Sequence, residues 1–133
     1  HIDMVVRGIC CLRAGVPDET DNIHIISIVG RYLEHSRIYI FGRGERARYY
    51  IGSADWMTRS TLRRVEIAAP VTAPTLKARL QHIFNTMLAD NSNARVQQPD
   101  GNYVRRMPGA DAVDCQAQFY EEAYQANVHS DLK

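Results

Sequence analysis

His35 is the side chain of this sequence best suited to proton or phosphoryl chemistry, because an imidazole titrates near neutrality and can act as nucleophile, acid or base. It stands in Glu34-His35-Ser36-Arg37, between a carboxylate and a guanidinium that would tune it in opposite directions. Gly52-Ser53-Ala54-Asp55 follows one apparent strand later. If the two strands pair as a hairpin, His35 and the Ser53/Asp55 group come to the same end of a sheet. Ser53 and Asp55 could then position His35, bind phosphate oxygens, or satisfy backbone groups where the strand turns. Spacing alone leaves His35 open between a catalytic role and a strand-end cap. Arg7 is the other unusual residue, a cation inside the apolar run of residues 2–12. It must reach solvent, a partner or a ligand, since an unpaired buried charge is prohibitive.

Other chemistries find no support. The five histidines and three cysteines lack zinc-ligand spacing, no Asp/Asn loop suits calcium, and no metal ligand is assigned. Phosphate-cradling glycine motifs and a serine-hydrolase elbow are absent. His24 alternates with isoleucines and reads as structural or edge-exposed, and His1, His82 and His129 read as surface residues. Trp56 and Met57 could stack on a base, yet such a pair after a turn is expected in a core, as are Tyr49 and Tyr50.

The elements that must position these residues follow from pattern. Residues 2–12 suit a strand interrupted at Arg7-Gly8, and Arg13 to Asn22 is loop by its Gly, Pro and acidic content. Ile23 to Val29 is nearly continuous Ile/Val, the signature of a strand buried on both faces. Arg31 to Glu34 is a helical turn or irregular link, and Arg37 to Phe41 and Arg48 to Ser53 form a hairpin around Gly42-Arg43-Gly44-Glu45-Arg46. Leu62 to Ala69 contains a further strand bounded by Pro70. Pro74 opens a helix ending near Asp90-Asn91, with Leu76, Leu80, Ile83, Phe84, Met87 and Leu88 as its apolar stripe. Arg95 to Gln98 and Tyr103 to Arg106 flank the turn Pro99-Asp100-Gly101-Asn102. A last helix runs from about Asp114 to Asn127, packing through Phe119, Tyr120, Ala123 and Tyr124. Strands early and helices late indicate an α/β or α+β sandwich with the long helix on a mixed sheet.

With 133 residues, 45% hydrophobic and 23% charged, the chain fits a single domain, residues 1–133, with a substantial core. No apolar run approaches the ~20 residues of a membrane span. Net charge is +1, so bulk electrostatics is neutral on nucleic acid, but 14 of the 16 basic residues are arginine, the better phosphate fork. Adjacent Cys10 and Cys11 with a distant Cys115 make no disulfide framework and fit a reducing cytoplasm. The start has no signal-peptide pattern and reads as if inside a strand, so the natural protein is expected to extend upstream.

His35-Ser36-Arg37 followed by Gly52-Ser53-Ala54-Asp55 resembles the phospholipase D-like signature, with Arg37 where lysine is usual and Asp55 where asparagine is usual. VRGICCLRAG (6–15), NIHIISIVGRYLEHSRIYIF (22–41), YIGSADWMTRS (50–60) and RRVEIAAPV (63–71) together resemble the C-terminal part of type 1 polyphosphate kinases. The resemblance continues through LQHIFNTMLADN and QPDGNYVRR and fades in the tail. Ala14 departs from an expected proline, and Ser60-Thr61-Leu62 from an expected Asn-Leu-Asp.

The resemblance implies a phospholipase D-like mixed β-sheet flanked by helices, lacking its first elements. It implies an enzyme that moves the terminal phosphate of ATP reversibly onto polyphosphate through a phosphohistidine in an upstream domain. His35 matches the second histidine, an acid/base group and nucleotide contact, and Arg7 matches a residue that binds ATP phosphates. Arg37, Ser53 and Asp55 are supporting candidates. Mg²⁺ would arrive with ATP, with its protein contacts upstream. The implied partners are the upstream domains of the same polypeptide, ATP or ADP, polyphosphate, and further copies of the full enzyme. No DNA and no membrane span are expected, and the location is cytoplasmic, with membrane association open for the full enzyme. The isolated chain is expected to be inactive. Two other readings are a non-catalytic module that binds polyphosphate or nucleic acid, and a phosphodiesterase half-site using His35 as nucleophile in a symmetric dimer.

Overall fold

A computed structural model describes residues 1–8 and 10–128, so His129, expected at the surface, lies outside the described residues. The chain divides into two compact units, His1–Leu33 with Thr86–Lys133, and Glu34–Asn85.

The first unit is built on a four-stranded mixed sheet. Strand β1 (Ile2–Val5) runs parallel to β2 (Ile23–Ile28), which pairs antiparallel with β6 (Ala94–Gln97), and β6 with β7 (Tyr103–Arg105). The order is β1-β2-β6-β7. As its Ile-rich run requires, β2 is central, with Ile25, Ile26, Ser27 and Ile28 all buried. Each buried isoleucine contributes about 1.5–3 kcal/mol.

The first strand is shorter than the apolar run suggests. The ladder ends with Val6 N donating to Ile26 O at 2.9 Å, and Arg7 follows, exposed, before Gly8 at φ +106°. Further along, Leu12 and Ala14 are bound by the side chain of Gln97. Its Oε1 accepts from Ala14 N at 2.9 Å while its Nε2 donates to Leu12 O at 3.0 Å, so a side-chain amide replaces a strand partner. The described part of the β1–β2 crossover is loop, held by Thr20 through bonds to Arg13 O and Val16 N.

The second unit carries a three-stranded antiparallel sheet, β3 (Ile38–Phe41), β4 (Arg48–Gly52) and β5 (Ala68–Val71), in that order. Tyr39 faces Tyr50, and a single 3₁₀ turn, Gly44–Arg46, closes the hairpin. Helix α1 (Thr58–Arg63) precedes β5, so of the segment Leu62 to Ala69 expected to contain a strand only Ala68 and Ala69 are strand, while Leu62 is helical and 78% exposed. Pro70 lies inside β5 rather than bounding it. Ser53 N donates to Ile67 O, so by antiparallel alternation the Tyr50/Pro70 pair exchanges no ladder bonds, and the missing N–H faces the free edge.

Helix α2 (Pro74–Ala89) has the bounds expected from its proline start and apolar stripe. Within the second unit its Gln81 accepts from the Tyr49 hydroxyl at 2.8 Å, and the Lys77 ammonium lies 5.9 Å from the Tyr49 ring centre. Leu76, assigned to the stripe, is exposed. The last turn of α2 belongs to the first unit, where Arg106 caps the carbonyls of Leu88 and Asp90.

Helix α3 (Cys115–Val128) is capped by Asp114, whose Oδ1 accepts from Gln116 N and Ala117 N, both at 3.0 Å. It docks by its first residues, Cys115 and Gln116, both buried. Tyr120 and Tyr124, expected to pack, are exposed, and Phe119 is half-buried. Asp90, 0% exposed, ties this region together: Oδ1 accepts from Ser92 N, Asn93 N and Ala94 N, and Oδ2 from Cys115 N.

Candidate active site

The hairpin brings the two halves of the expected site to one end of the three-stranded sheet. Gly52 N donates to Arg37 O at 3.0 Å, extending the β3–β4 ladder to the residue that carries the guanidinium. From there Arg37 Nε and Nη2 reach Asp55 Oδ1 at 3.0 and 2.9 Å, and Nη1 donates to the His35 carbonyl at 2.9 Å. One planar fork therefore holds the segment before β3 and the segment after β4 together. Asp55 is linked to the His35 backbone through Arg37 and does not hydrogen-bond the ring. The His35 side chain is exposed and, among the described residues, its ring has no hydrogen-bond partner. An imidazole held by its backbone with both nitrogens free can take or give a proton at a substrate oxygen.

Ser53 is committed differently. Its hydroxyl donates to Glu66 Oε2 and accepts from Ile67 N at 3.0 Å, fastening the end of β4 to the approach to β5. Glu66 received no role from the sequence, because its meeting with Ser53 depends on the β4–β5 register and has no signal in local spacing. Tyr39 was likewise passed over. Its hydroxyl donates to Ala54 O at 2.9 Å, and its ring lies over Gly52, where an added Cβ would come within 3.0 Å of Tyr39 Cε2 and 3.2 Å of Ile67 O. Glycine at 52 is thus a packing requirement of the site.

Trp56 corrects a further expectation, since it is 78% exposed instead of core. It tilts against Tyr39 at 6.0 Å between ring centres. The two rings, with Phe41, Tyr50 and Ile67, line an open apolar cleft of about 370 Å³ that Glu66 also borders. Tyr50, expected in the core with Tyr49, lies on this cleft face, while Tyr49 lies against α2.

Arg7 belongs to the first unit and His35 to the second. Arg7 leaves the carboxyl end of β1, where loops of parallel strands present binding groups. It is exposed and, among the described residues, has no salt-bridge partner. The expectation of a guanidinium held within a strand is therefore corrected to one just beyond it. No three His, Cys, Asp or Glu side chains among the described residues converge as a metal set. No helix among them is long and apolar enough to cross a membrane.

Residues 1–118 match the family model of the polyphosphate kinase C-terminal domain 2. The chain is 55% identical over 110 residues to a polyphosphate kinase of Synechocystis sp., covering 83% of this chain and 15% of that protein. It is 46% identical over 125 residues to a polyphosphate kinase of Bacillus anthracis, covering 93% and 18%. In structure it is similar to the crystal structure of polyphosphate kinase from Porphyromonas gingivalis, with a TM-score of 0.85 at 37% identity, over 93% of this chain and 19% of that one. The chain thus spans less than a fifth of the length of these relatives.

Proposed function

The chain belongs to the polyphosphate kinase C-terminal domain 2 family, and from that premise we propose that it works as the C-terminal phospholipase D-like part, residues 1–133, of an ATP-polyphosphate phosphotransferase. Upstream domains of the same polypeptide supply the phosphohistidine, and the assembled enzyme acts in the cytoplasm as a homo-oligomer. ATP gives up its terminal phosphate: the bond from the γ-phosphorus to the ADP oxygen breaks as the bond to the acceptor nitrogen forms. A second transfer then passes the phosphoryl group to the end of a polyphosphate chain, and both steps run in reverse.

Phosphoryl transfer asks a protein for positioning and charge stabilisation. Arg7 supplies a positive fork for the ATP phosphates. His35 supplies the proton that the leaving phosphate oxygen takes up, and removes one from the entering group in reverse. Arg37, Asp55 and Ser53 act as positioning residues. The observation that carries this reading is the Arg37 fork, which holds the His35 backbone and Asp55 together while leaving the imidazole open to a ligand. Among the described residues no three His, Cys, Asp or Glu side chains converge on a Mg²⁺ site; in this reading Mg²⁺ comes with the nucleotide and has its protein contacts upstream.

The test is a chimaera in which residues 1–118 replace the matched segment of a full-length relative. Arg7→Ala in that chimaera is expected to lower kcat/KM for ATP at least 100-fold, the order reported for losing one charge-stabilising donor. A value within threefold of the parent overturns the role of Arg7. The 133-residue chain alone is expected to make no polyphosphate from ATP.

A further inference from the structure

The net charge of +1 conceals a segregation. Residues 34–85 hold nine Lys/Arg against four Asp/Glu, a net of +5, whereas the remainder holds seven against eleven, a net of −4. Inside the positive unit Arg37 is the one arginine that forms an ion pair with an acid among the described residues. Asp55 is taken by Arg37 and Glu66 by Ser53. Arg43, Arg46 and Arg48 at the hairpin tip and Arg59 and Arg63 on α1 are all exposed, and none forms an ion pair with a described residue.

Their placement is ordered. Gly42 and Gly44, at φ +85° and +58°, turn the chain sharply enough to gather Arg43, Arg46 and Arg48 around one 3₁₀ turn. Arg59 and Arg63 are four apart in α1, hence on one helix face. Arg43 and Arg46 precede β4, Arg48 opens it and the helical pair follows it, so the length of that strand, roughly 15 Å, separates the two groups along the chain. The three guanidinium groups of the tip meet one carboxylate, Glu45, and α1 carries none, so positive charge is in excess at both ends and a polyanion spanning the strand would relieve both at once.

We infer that these five arginines form a track for linear inorganic polyphosphate, contacting the polymer away from His35. The inference rests on the proposed function, which makes polyphosphate the polymer at hand, and extends it to residues no catalytic step requires. The alternative polyanion, a single-stranded nucleic acid, needs rings on which bases can stack. Residues 42–48 carry no aromatic side chain and the adjoining Tyr49 is engaged by Gln81 and Lys77, whereas exposed Phe41 and Trp56 are the rings that a base could reach, so a matched oligonucleotide is one arm of the test. A ligand that is phosphate at every link asks only for the guanidinium forks.

The test measures binding of linear sodium polyphosphate of defined length to the 133-residue chain across a salt series. Arg43→Gln/Arg46→Gln/Arg48→Gln is expected to weaken binding at least tenfold at low salt and to reduce the slope of log K against log[salt] by about three. Arg59→Gln/Arg63→Gln is expected to reduce it by about two. Arg95→Gln, at an exposed position of the negative unit, serves as control and is expected to stay within twofold. All substitutions are at exposed sites, and the two groups provide independent variants should one impair folding. Parent-like binding by both multiple variants overturns the inference, as does equal weakening by Arg95→Gln. Tighter binding of a single-stranded oligonucleotide of matching charge overturns the choice of polymer. Neither outcome depends on His35 or Arg7, so failure of the track and failure of the catalytic reading are read separately.

Discussion

At the scale of the residue, the candidate site depends on side chains whose hydrogen bonds are already spoken for. Arg37 engages Asp55 and the His35 carbonyl with three of its nitrogens. Arg37→Lys keeps the charge and loses the fork. The ion pair is partly exposed, so the substitution is expected to cost no more than about 1 kcal/mol in urea unfolding. In the chimaera it is expected to lower kcat more than it raises KM, as befits a group that positions His35 without touching substrate. Asp90 is the opposite case, being buried beneath four backbone donors. Asp90→Ala strands those donors and is expected to destabilise the chain by about 3 kcal/mol or more in the same unfolding measurement. Asp100 gives a pH-dependent readout. Bonds from the Asn102 backbone and side chain hold its carboxyl below the ordinary 3.8. Its contribution to the turn is therefore present above that value and lost as pH falls through the lower folded value. An NMR titration of the Asn102 amide is expected to show a midpoint below 3.8; a midpoint at or above it would contradict the bond.

At the scale of the element, what the sequence disclosed depended on whether local pattern or remote contact decided the outcome. The Ile/Val run of β2, the proline-opened stripe of α2 and the turn chemistry between β6 and β7 were legible, because each is dictated within its own segment. The hairpin that gathers His35, Ser53 and Asp55 was legible for the same reason. The end of β1 was not, and Leu12 and Ala14 beyond it are bound by Gln97, more than 80 residues away. Trp56 misled because an aromatic after a turn usually faces a core, whereas here it borders an open cleft. The link before His35 is set just as remotely. The Gln116 amide accepts from Tyr32 N and donates to Tyr32 O, at 2.9 and 2.8 Å, and a Cβ on Gly30 would come within 2.5 Å of its Oε1. Gly30→Ala is accordingly expected to cost about 1–3 kcal/mol. Adding Gln116→Ala removes the clash, so the double variant should be less unstable than the two single costs combined; simple additivity would contradict the contact.

At the scale of the whole molecule, the chain pairs an acidic unit bearing Arg7 with a basic unit bearing His35. Composition could not disclose this, because the division interrupts the sequence at residues 34 and 85 and the opposite charges nearly cancel in the total. The family match covers both residues, and the relatives extend far beyond it. The proposed function gives each unit one group, Arg7 for the ATP phosphates and His35 for proton transfer, and assigns the rest of the reaction to protein outside this chain. The most direct test of that account is ATP-dependent polyphosphate synthesis by the full-length chimaera carrying His35→Ala. Loss of a general acid/base lowers rates by roughly 10²–10⁴, and the account predicts a fall in kcat of that size with polyphosphate binding unchanged. Synthesis near the parent rate would contradict it.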